Sequence, residues 1–499
     1  GIARGRSETG DRHAVPLRTS AAVQARRVVP RPLMNAVFDA LSLQAAMLDV
    51  VAASHATPRL IGERQQQRLV RLLEAARAVP VYRERLGNGR LRSSDLSRMA
   101  PVAKRELMDR FDEWVAQPEL KLDELRDFVS DPARAAEPYL DRYVVWESSG
   151  TSGQPGIFVQ DAHAMAVYDA LEAVRHRLPA RGGRGLFAAF AAFDVMGASD
   201  RTALVTATGG HFASVVSFER LRRINPWLGA ASRSFSLLQP VDELVAALND
   251  FQPSVLATYP TAAALLADEA EAGRLRISPR CVVTGGETLG KAVRQRIAQV
   301  AGCQVRNSYG ASEFLPLAWE CAHGHLHVNE DWALLEPVDE KLRPLPAGVR
   351  SHSVLLTNLA NLVQPLIRYD LGDQVTFTGQ RCACGSALPV IEVEGRSDDV
   401  MQVPSQRKGQ KVSLLPLALC TVVEEECGLF DFQLQQQGPS TLVLRIPLRG
   451  EAAEAAIGRC RDALQHFALL QGAEPIRVLG EPGCVVPRGR SGKACRVAL

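Results

Sequence analysis

Between residues 184 and 330, short apolar runs alternate with amphipathic ones, and this constrains the fold more than any other feature of the chain. Residues 185–193, 203–208, 254–258, 281–284 and 304–308 read as buried strands. The segments 241–251, 262–272 and 291–301 carry apolar residues three and four apart and read as helices. Strand and helix in alternation predict an α/β fold whose sheet is largely parallel and layered between helices. In such sheets ligands sit beyond the carboxyl ends of the strands. Three polar motifs follow strands directly: S-S-G-T-S-G (Ser148, Ser149, Gly150, Thr151, Ser152, Gly153), G-G-E (Gly285, Gly286, Glu287) and Y-G-A-S-E (Tyr309, Gly310, Ala311, Ser312, Glu313).

The first of these lies within residues 146–156, which hold three serines, a threonine and three glycines after a β-prone run. Glycine lets a backbone approach an anion closely, and hydroxyls with backbone N–H groups supply donors for phosphate oxygens. A helical pattern follows from Ala162, so a helix N-terminus adds its dipole nearby. No Gly-Lys-Ser/Thr closes the loop, which excludes a Walker A site and argues against a P-loop kinase.

A chain of 499 residues needs two or more domains. Its 58 basic and 55 acidic residues give +3, which makes no case for nucleic acid or an anionic membrane. No apolar run approaches the roughly 18 residues of a membrane span. Ten cysteines without the dense spacing of a secreted scaffold point to a reducing compartment, with the cytoplasm as the expectation. Residues 1–33 carry seven arginines and two acids and read as a flexible tail, a transit segment or upstream sequence. Helical periodicity marks 35–86, ending near Pro80, with a loop expected from there to about 111. From 334 to 394 the composition turns β-like, as for a small distorted barrel, and the last hundred or so residues suit a small α+β domain.

Seven motifs stand in order along the chain: S-S-G-T-S-G-Q-P-G, T-Y-P-T (258–261), V-T-G-G-E, N-S-Y-G-A-S-E, R-Y-D-L-G-D (368–373), G-R-S-D-D (395–399) and the terminal G-K-A-C-R. This series resembles that of the adenylate-forming (acyl-CoA synthetase) superfamily, and more narrowly the phenylacetate-CoA ligases, from about residue 80 onward. The resemblance implies a large N-terminal domain of layered α/β sheets with a distorted barrel (34–396), and a small mobile α+β lid (397–499) turning about Asp398. It implies that a carboxylate attacks the α-phosphorus of ATP to give an acyl-adenylate and pyrophosphate, and that coenzyme A then displaces AMP. Ser148, Ser149, Gly150, Thr151, Ser152 and Gly153 would hold the β- and γ-phosphates. Gly285, Gly286, Glu287, Ser308, Tyr309 and Gly310 would line the adenine pocket, and Asp373 would accept the ribose hydroxyls. Glu313 would ligate Mg2+, Arg396 would reach ribose or phosphate, and Lys493 would deliver the decisive ammonium to the carboxylate and α-phosphate. Phe190, Phe193, His211, Tyr259, Ala311 and Phe314 would line a pocket for an aromatic acid.

The chain departs from the pattern at Gln154, where relatives commonly carry lysine, so one phosphate-loop charge is missing. Val403-Pro404-Ser405 replaces a glycine-containing turn on the side expected to face coenzyme A. These departures keep a second acceptor open, a carrier-protein thiol or an amine, and a non-catalytic nucleotide-binding protein is the reading from another class. The partners expected are a small carboxylic acid and coenzyme A, with an acyl carrier protein as the alternative, and the chain is expected as a monomer or homodimer.

Cys321 and His327, with Cys382 and Cys384, form a second constellation. Thiolates with one imidazole are the soft and borderline donors of a structural Zn2+, and His323 and His325 are rival ligands. Similar pairs hold a structural zinc in some members of the subfamily that the chain resembles.

Overall fold

The computed structural model describes residues 31–86, 96, 98–148, 155–176, 200–394, 400–429, 431–486 and 496–498. The strand expected at 185–193 lies outside the described residues. Helices Arg31–Ser54 and Pro58–Ala78 open the chain, the second capped by Thr57 with proline in its first turn. Leu69, Leu72, Leu73 and Ala76 bury one stripe of it. Where a loop was expected beyond Pro80, the chain forms short helices Pro80–Leu86, Lys104–Asp109 and Phe111–Trp114. Proline is pre-set for a first helical position, so Pro80 ends one helix and starts the next.

A nine-stranded sheet forms the centre. From one edge its order is Gln374–Phe377, Val390–Glu394, Leu326–Val328, Phe314–Glu320, Gln304–Ala311, Cys281–Thr284, Val255–Thr258, Thr202–Thr206 and Ser232–Ser236. The last five are parallel, and the first four join antiparallel. Gln304–Ala311 is the turning point, parallel to Cys281–Thr284 on one side and antiparallel to Phe314–Glu320 on the other. Helices Val241–Phe251, Pro260–Glu271 and Lys291–Ala301 connect the parallel strands, as the periodicity required. The edge strand Ser232–Ser236 escaped sequence reading because S-R-S-F-S offers only one large apolar side chain.

The strands expected in a small barrel divide between two sheets. Ala333–Val338, Ser353–Asn358 and Tyr369–Asp370 form a three-stranded antiparallel sheet. Gln374–Phe377 and Val390–Glu394 instead extend the central sheet. The backbone bond from Ser351 N to Val375 O, 3.0 Å, ties the two.

The C-terminal region is α+β. Strands Gln433–Gly438, Thr441–Ile446, Arg477–Pro482 and Val497–Ala498 form one sheet, with helices Pro416–Cys427 and Gly450–Leu470. One core joins this region to the parallel half of the central sheet through Leu244, Leu248 and Leu266 with Leu415, Leu419 and Phe467. The other gathers the N-terminal helices and the antiparallel half around Leu72, Trp114, Trp146 and Leu356. Burial of such side chains contributes about 1.5–3 kcal/mol each, so these two clusters hold the architecture.

Candidate active site and a cysteine–histidine cluster

Strand Val144–Glu147 pairs with Ile157–Gln160 and so closes the neck of the loop that joins them. Ser148 N donates to Gly156 O, and Gly156 N donates to the Ser148 hydroxyl, both at 2.8 Å. Ser149, Gly150, Thr151, Ser152 and Gly153 lie outside the described residues. A lysine that sequence reading passed over stands at this neck. Lys104 Nζ donates to the Ser148 hydroxyl at 3.3 Å, and its Cδ would lie 3.1 Å from a Cβ added at Gly156. Lys104 precedes Ser148 by 44 residues, and no local pattern in P-V-A-K-R-E links the two.

The carboxyl ends of the parallel strands bring three motifs together. A Cβ on Gly285 would sit 2.6 Å from the Ser308 hydroxyl, so the two chains touch there. Gly286 has φ +79°, and a Cβ on it would meet the Tyr259 ring at 3.0 Å. Both positions need glycine, one for close approach and one for its left-handed backbone. Burial pushes the Tyr259 phenol up to about 12, and its hydroxyl bonds the Thr206 hydroxyl at 2.6 Å. Tyr259 is thus anchored beside Gly286. Glu287, expected against adenine, spends its carboxylate otherwise: its two oxygens accept from Thr261 N at 3.1 Å and from the Thr261 hydroxyl at 3.0 Å. It caps the first turn of helix Pro260–Glu271, a helical end with unpaired N–H groups.

Tyr309 and Gly310 end the strand Gln304–Ala311, and Glu313 stands in the turn that leads to Phe314–Glu320. The register shifts between Tyr309 and Ala311, and a Cβ on Gly310 would lie 2.0 Å from Leu315 O. Only glycine passes there. The Tyr309 hydroxyl donates to Asp373 at 2.9 Å, and the Tyr369 hydroxyl donates to Glu313 at 2.7 Å. The turn is held from outside: Trp146 Nε1 donates to Ser312 O at 2.7 Å and Asn358 Nδ2 to Glu313 O at 3.0 Å. Ala311 is half-buried.

Two residues expected in the acid pocket are engaged in the core. Phe314 is fully buried, its ring 4.9 Å from that of Tyr168, because it opens the inner face of a hairpin strand. His211 is also buried, its Nε2 2.8 Å from Asp131 O and its ring 5.4 Å from Phe128. Burial lowers its pKa, which favours the neutral ring. Its backbone binds the end of strand Val144–Glu147, Glu147 N donating to His211 O at 2.8 Å. Burial pushes the Glu147 carboxyl up to about 7, helped by the nearby charge of Glu425. Phe190, Phe193, Arg396, Asp398 and Lys493 lie outside the described residues.

The second cluster is closed. The donor atoms of Cys321, His327, Cys382 and Cys384 lie within 4.8 Å of one another. Cys321 Sγ is 3.7 Å from Cys382 Sγ, and Cys384 Sγ is 3.3 Å from His327 Nε2. A tetrahedral site with Zn–S bonds near 2.3 Å requires ligand separations of about this size. His327 Nδ1 lies 2.9 Å from Leu388 O, the partner that fixes its tautomer and turns Nε2 toward the thiols. His325 lies beside Cys382, Nδ1 to Sγ 3.3 Å. The set therefore fits a structural metal with His327 as the imidazole.

Residues 111–350 match the family model described as AMP-binding enzyme. A phenylacetate-coenzyme A ligase of Thermus thermophilus is 31% identical over 163 residues, spanning 31% of this chain and 36% of that protein's length. The chain thus matches about a third of this curated relative. Among solved structures, 2-hydroxyisobutyryl-CoA ligase in complex with 2-HIB-AMP and CoA in the thioesterification state has a TM-score of 0.54 at 19% identity, covering 89% of this chain and 91% of that one. An open conformation of the same ligase gives 0.48 at 18% identity, over 87% and 90%. Ordered motifs, match and fold agree: residues 111–350 are similar to AMP-binding enzymes, 163 residues of the chain are similar to phenylacetate-coenzyme A ligase, and the fold is like that of 2-hydroxyisobutyryl-CoA ligase.

Proposed function

We propose that this chain activates an aryl or arylacetic carboxylic acid with ATP and passes the acyl group to coenzyme A. The observation that carries this reading is the convergence of Tyr259, Gly285, Gly286, Ser308, Tyr309, Glu313 and Asp373 at the carboxyl rim of the parallel strands. A carboxylate oxygen attacks the α-phosphorus and pyrophosphate leaves; the thiol then attacks the acyl carbonyl and AMP leaves. The first step needs in-line positioning and charge neutralisation more than proton transfer. Ser148 and the loop beyond it hold the phosphates, and Lys104 supplies the cation that the loop lacks at Gln154. Asp373 takes the ribose hydroxyls. Lys493 brings the ammonium to the α-phosphate, and Arg396 reaches ribose or phosphate as the C-terminal region turns at Asp398. Glu313 is the residue that would hold Mg2+, whose chemistry when bound is to neutralise phosphate charge. The cysteine–histidine cluster would hold Zn2+ as a structural brace, since all four positions are protein-filled.

A pyrophosphate-exchange screen over benzoate, phenylacetate, anthranilate and related acids tests the first half-reaction. Turnover with and without coenzyme A tests the second. Exchange with an aromatic acid and CoA-dependent turnover are expected, and Lys493→Ala should abolish exchange while sparing thioester formation from supplied acyl-adenylate. Exchange that ignores every aromatic acid overturns the substrate class. Turnover that needs a carrier protein or an amine instead of coenzyme A overturns the acceptor. ATP binding with no acid-dependent exchange at all overturns the enzyme reading.

A further inference from the structure

The two carboxylates of the site are cross-laced by two tyrosines. Tyr309 of S-Y-G-A-S-E donates to Asp373 of R-Y-D-L-G-D, and Tyr369 of R-Y-D-L-G-D donates to Glu313 of S-Y-G-A-S-E. Each motif hands one phenol to the other's carboxylate. The motif roles give Tyr369 no part to play.

Both ends of the Tyr369–Glu313 bond are rigid. Tyr369 is 2% exposed and stands in strand register opposite Leu356. The preceding Arg368 is held in a left-handed backbone conformation, φ +52°, with its N–H on the Thr357 hydroxyl at 3.0 Å and its carbonyl accepting from Val102 N at 3.0 Å. Glu313 is held through its carbonyl by Asn358. The bond takes Oε1 of Glu313, and among the described residues no hydrogen bond is recorded to Oε2.

A phenol suits this place for a chemical reason. Arginine or lysine there would orient the carboxylate but neutralise it, and would compete with a cation for its charge. A tyrosine hydroxyl orients without adding positive charge. A phenol, with an ordinary pKa of about 10, is a protonated donor at neutral pH. Outer hydrogen bonds of this kind fix the geometry of metal-binding carboxylates.

We propose that Tyr369 is a positioning residue: its hydroxyl holds Oε1 of Glu313 and directs Oε2 to the divalent cation that accompanies ATP. The inference rests on the assignment of Glu313 given above.

The test uses the full chain and calorimetric binding of ATP with and without Mg2+, with AMP in the absence of cation as the reference. Tyr369→Phe keeps the ring and removes only the hydroxyl. It should cut the Mg2+-dependent gain in ATP affinity roughly 10-fold, with AMP affinity changed less than about twofold. Glu313→Gln should remove that gain, and the double variant should match Glu313→Gln alone. If Tyr369→Phe weakens AMP and Mg·ATP binding equally, or leaves the gain untouched while Glu313→Gln removes it, the positioning role is wrong and the Glu313 assignment stands. If Glu313→Gln keeps the full gain, the assignment of Glu313 falls and the role of Tyr369 with it.

Discussion

The two polar clusters of this protein are built from different donors, thiols and an imidazole in one, carboxylates and phenols in the other, and they end in opposite states. In the cysteine–histidine cluster four donors from two segments face one another, within 4.8 Å, and each position is filled by protein. At the rim of the parallel strands, Glu313 and Asp373 each have one oxygen held by a tyrosine. A closed donor set braces the fold, whereas a carboxylate oriented by a neutral phenol keeps its negative charge for a ligand. The cluster ties Leu326–Val328 to the segment before Val390–Glu394, on the antiparallel side of the sheet. The open site sits where parallel pairing gives way to antiparallel, along Gln304–Ala311.

Variants that separate the two states test this contrast. The largest effect is expected from Asp373→Ala, which removes the proposed ribose acceptor and takes away the Tyr309 hydroxyl's partner. Pyrophosphate exchange should fall by about 100-fold or more with the melting temperature little changed. A loss that appears only as unfolding would make Asp373 a brace like the cysteines. If the cysteine–histidine cluster holds Zn2+ as proposed, chelation, or Cys384→Ser, should do the reverse: the melting temperature drops by roughly 5–15 °C, while the folded fraction keeps its affinity for ATP. If affinity falls in step with metal content, the clusters are not separate. Lys104→Met should raise the KM for ATP about 10-fold through loss of a charge-assisted phosphate contact, without slowing thioester formation from supplied acyl-adenylate.

The smallest effect concerns the seam between strand Val144–Glu147 and the C-terminal region. A Cβ on Gly210 would lie 2.8 Å from Glu425 Oε1 and 3.2 Å from Glu147 Oε1, so these carboxylates face each other across it. Burial, then the charge of Glu425, pushes Glu147 up to about 7, and burial with Glu424 pushes Glu425 up to about 7. An acid whose folded pKa is raised holds an extra proton in the folded state, so this stability is full below about 4.5 and lost as pH rises through 7. Arg496 pairs with Glu424, and the neutral His211 ring adds no charge to offset the pair. Glu425→Gln should flatten the decline in thermal stability between pH 5 and 7 relative to the parent; an unchanged slope would remove the seam from the account.

Much of this was legible in the chain. Cys281–Thr284, Val241–Phe251 and Lys291–Ala301 occupy the ranges that their apolar spacing indicated, since burial on one or both faces leaves a local periodic record. The cysteine set was legible because soft ligands are rare and their roles few. The edge strand Ser232–Ser236 was not, because an edge needs little apolar pattern. Nor could His327 be chosen over its neighbours from spacing; the bond to Leu388 O, a residue 61 positions on, selects it.

By itself the sequence determined the order of the motifs, the alternation of strand and helix, and the residue types available to each site, because these follow from local periodicity and side-chain chemistry. Tertiary structure decided which atoms are engaged. It turned Glu287 to Thr261 and Phe314 into the core, brought Lys104 to Ser148, and laced Tyr309 to Asp373 and Tyr369 to Glu313. The hydrogen bonds among these contacts join residues up to 64 positions apart, and a bond a few ångströms long across such a span leaves no mark in either local pattern.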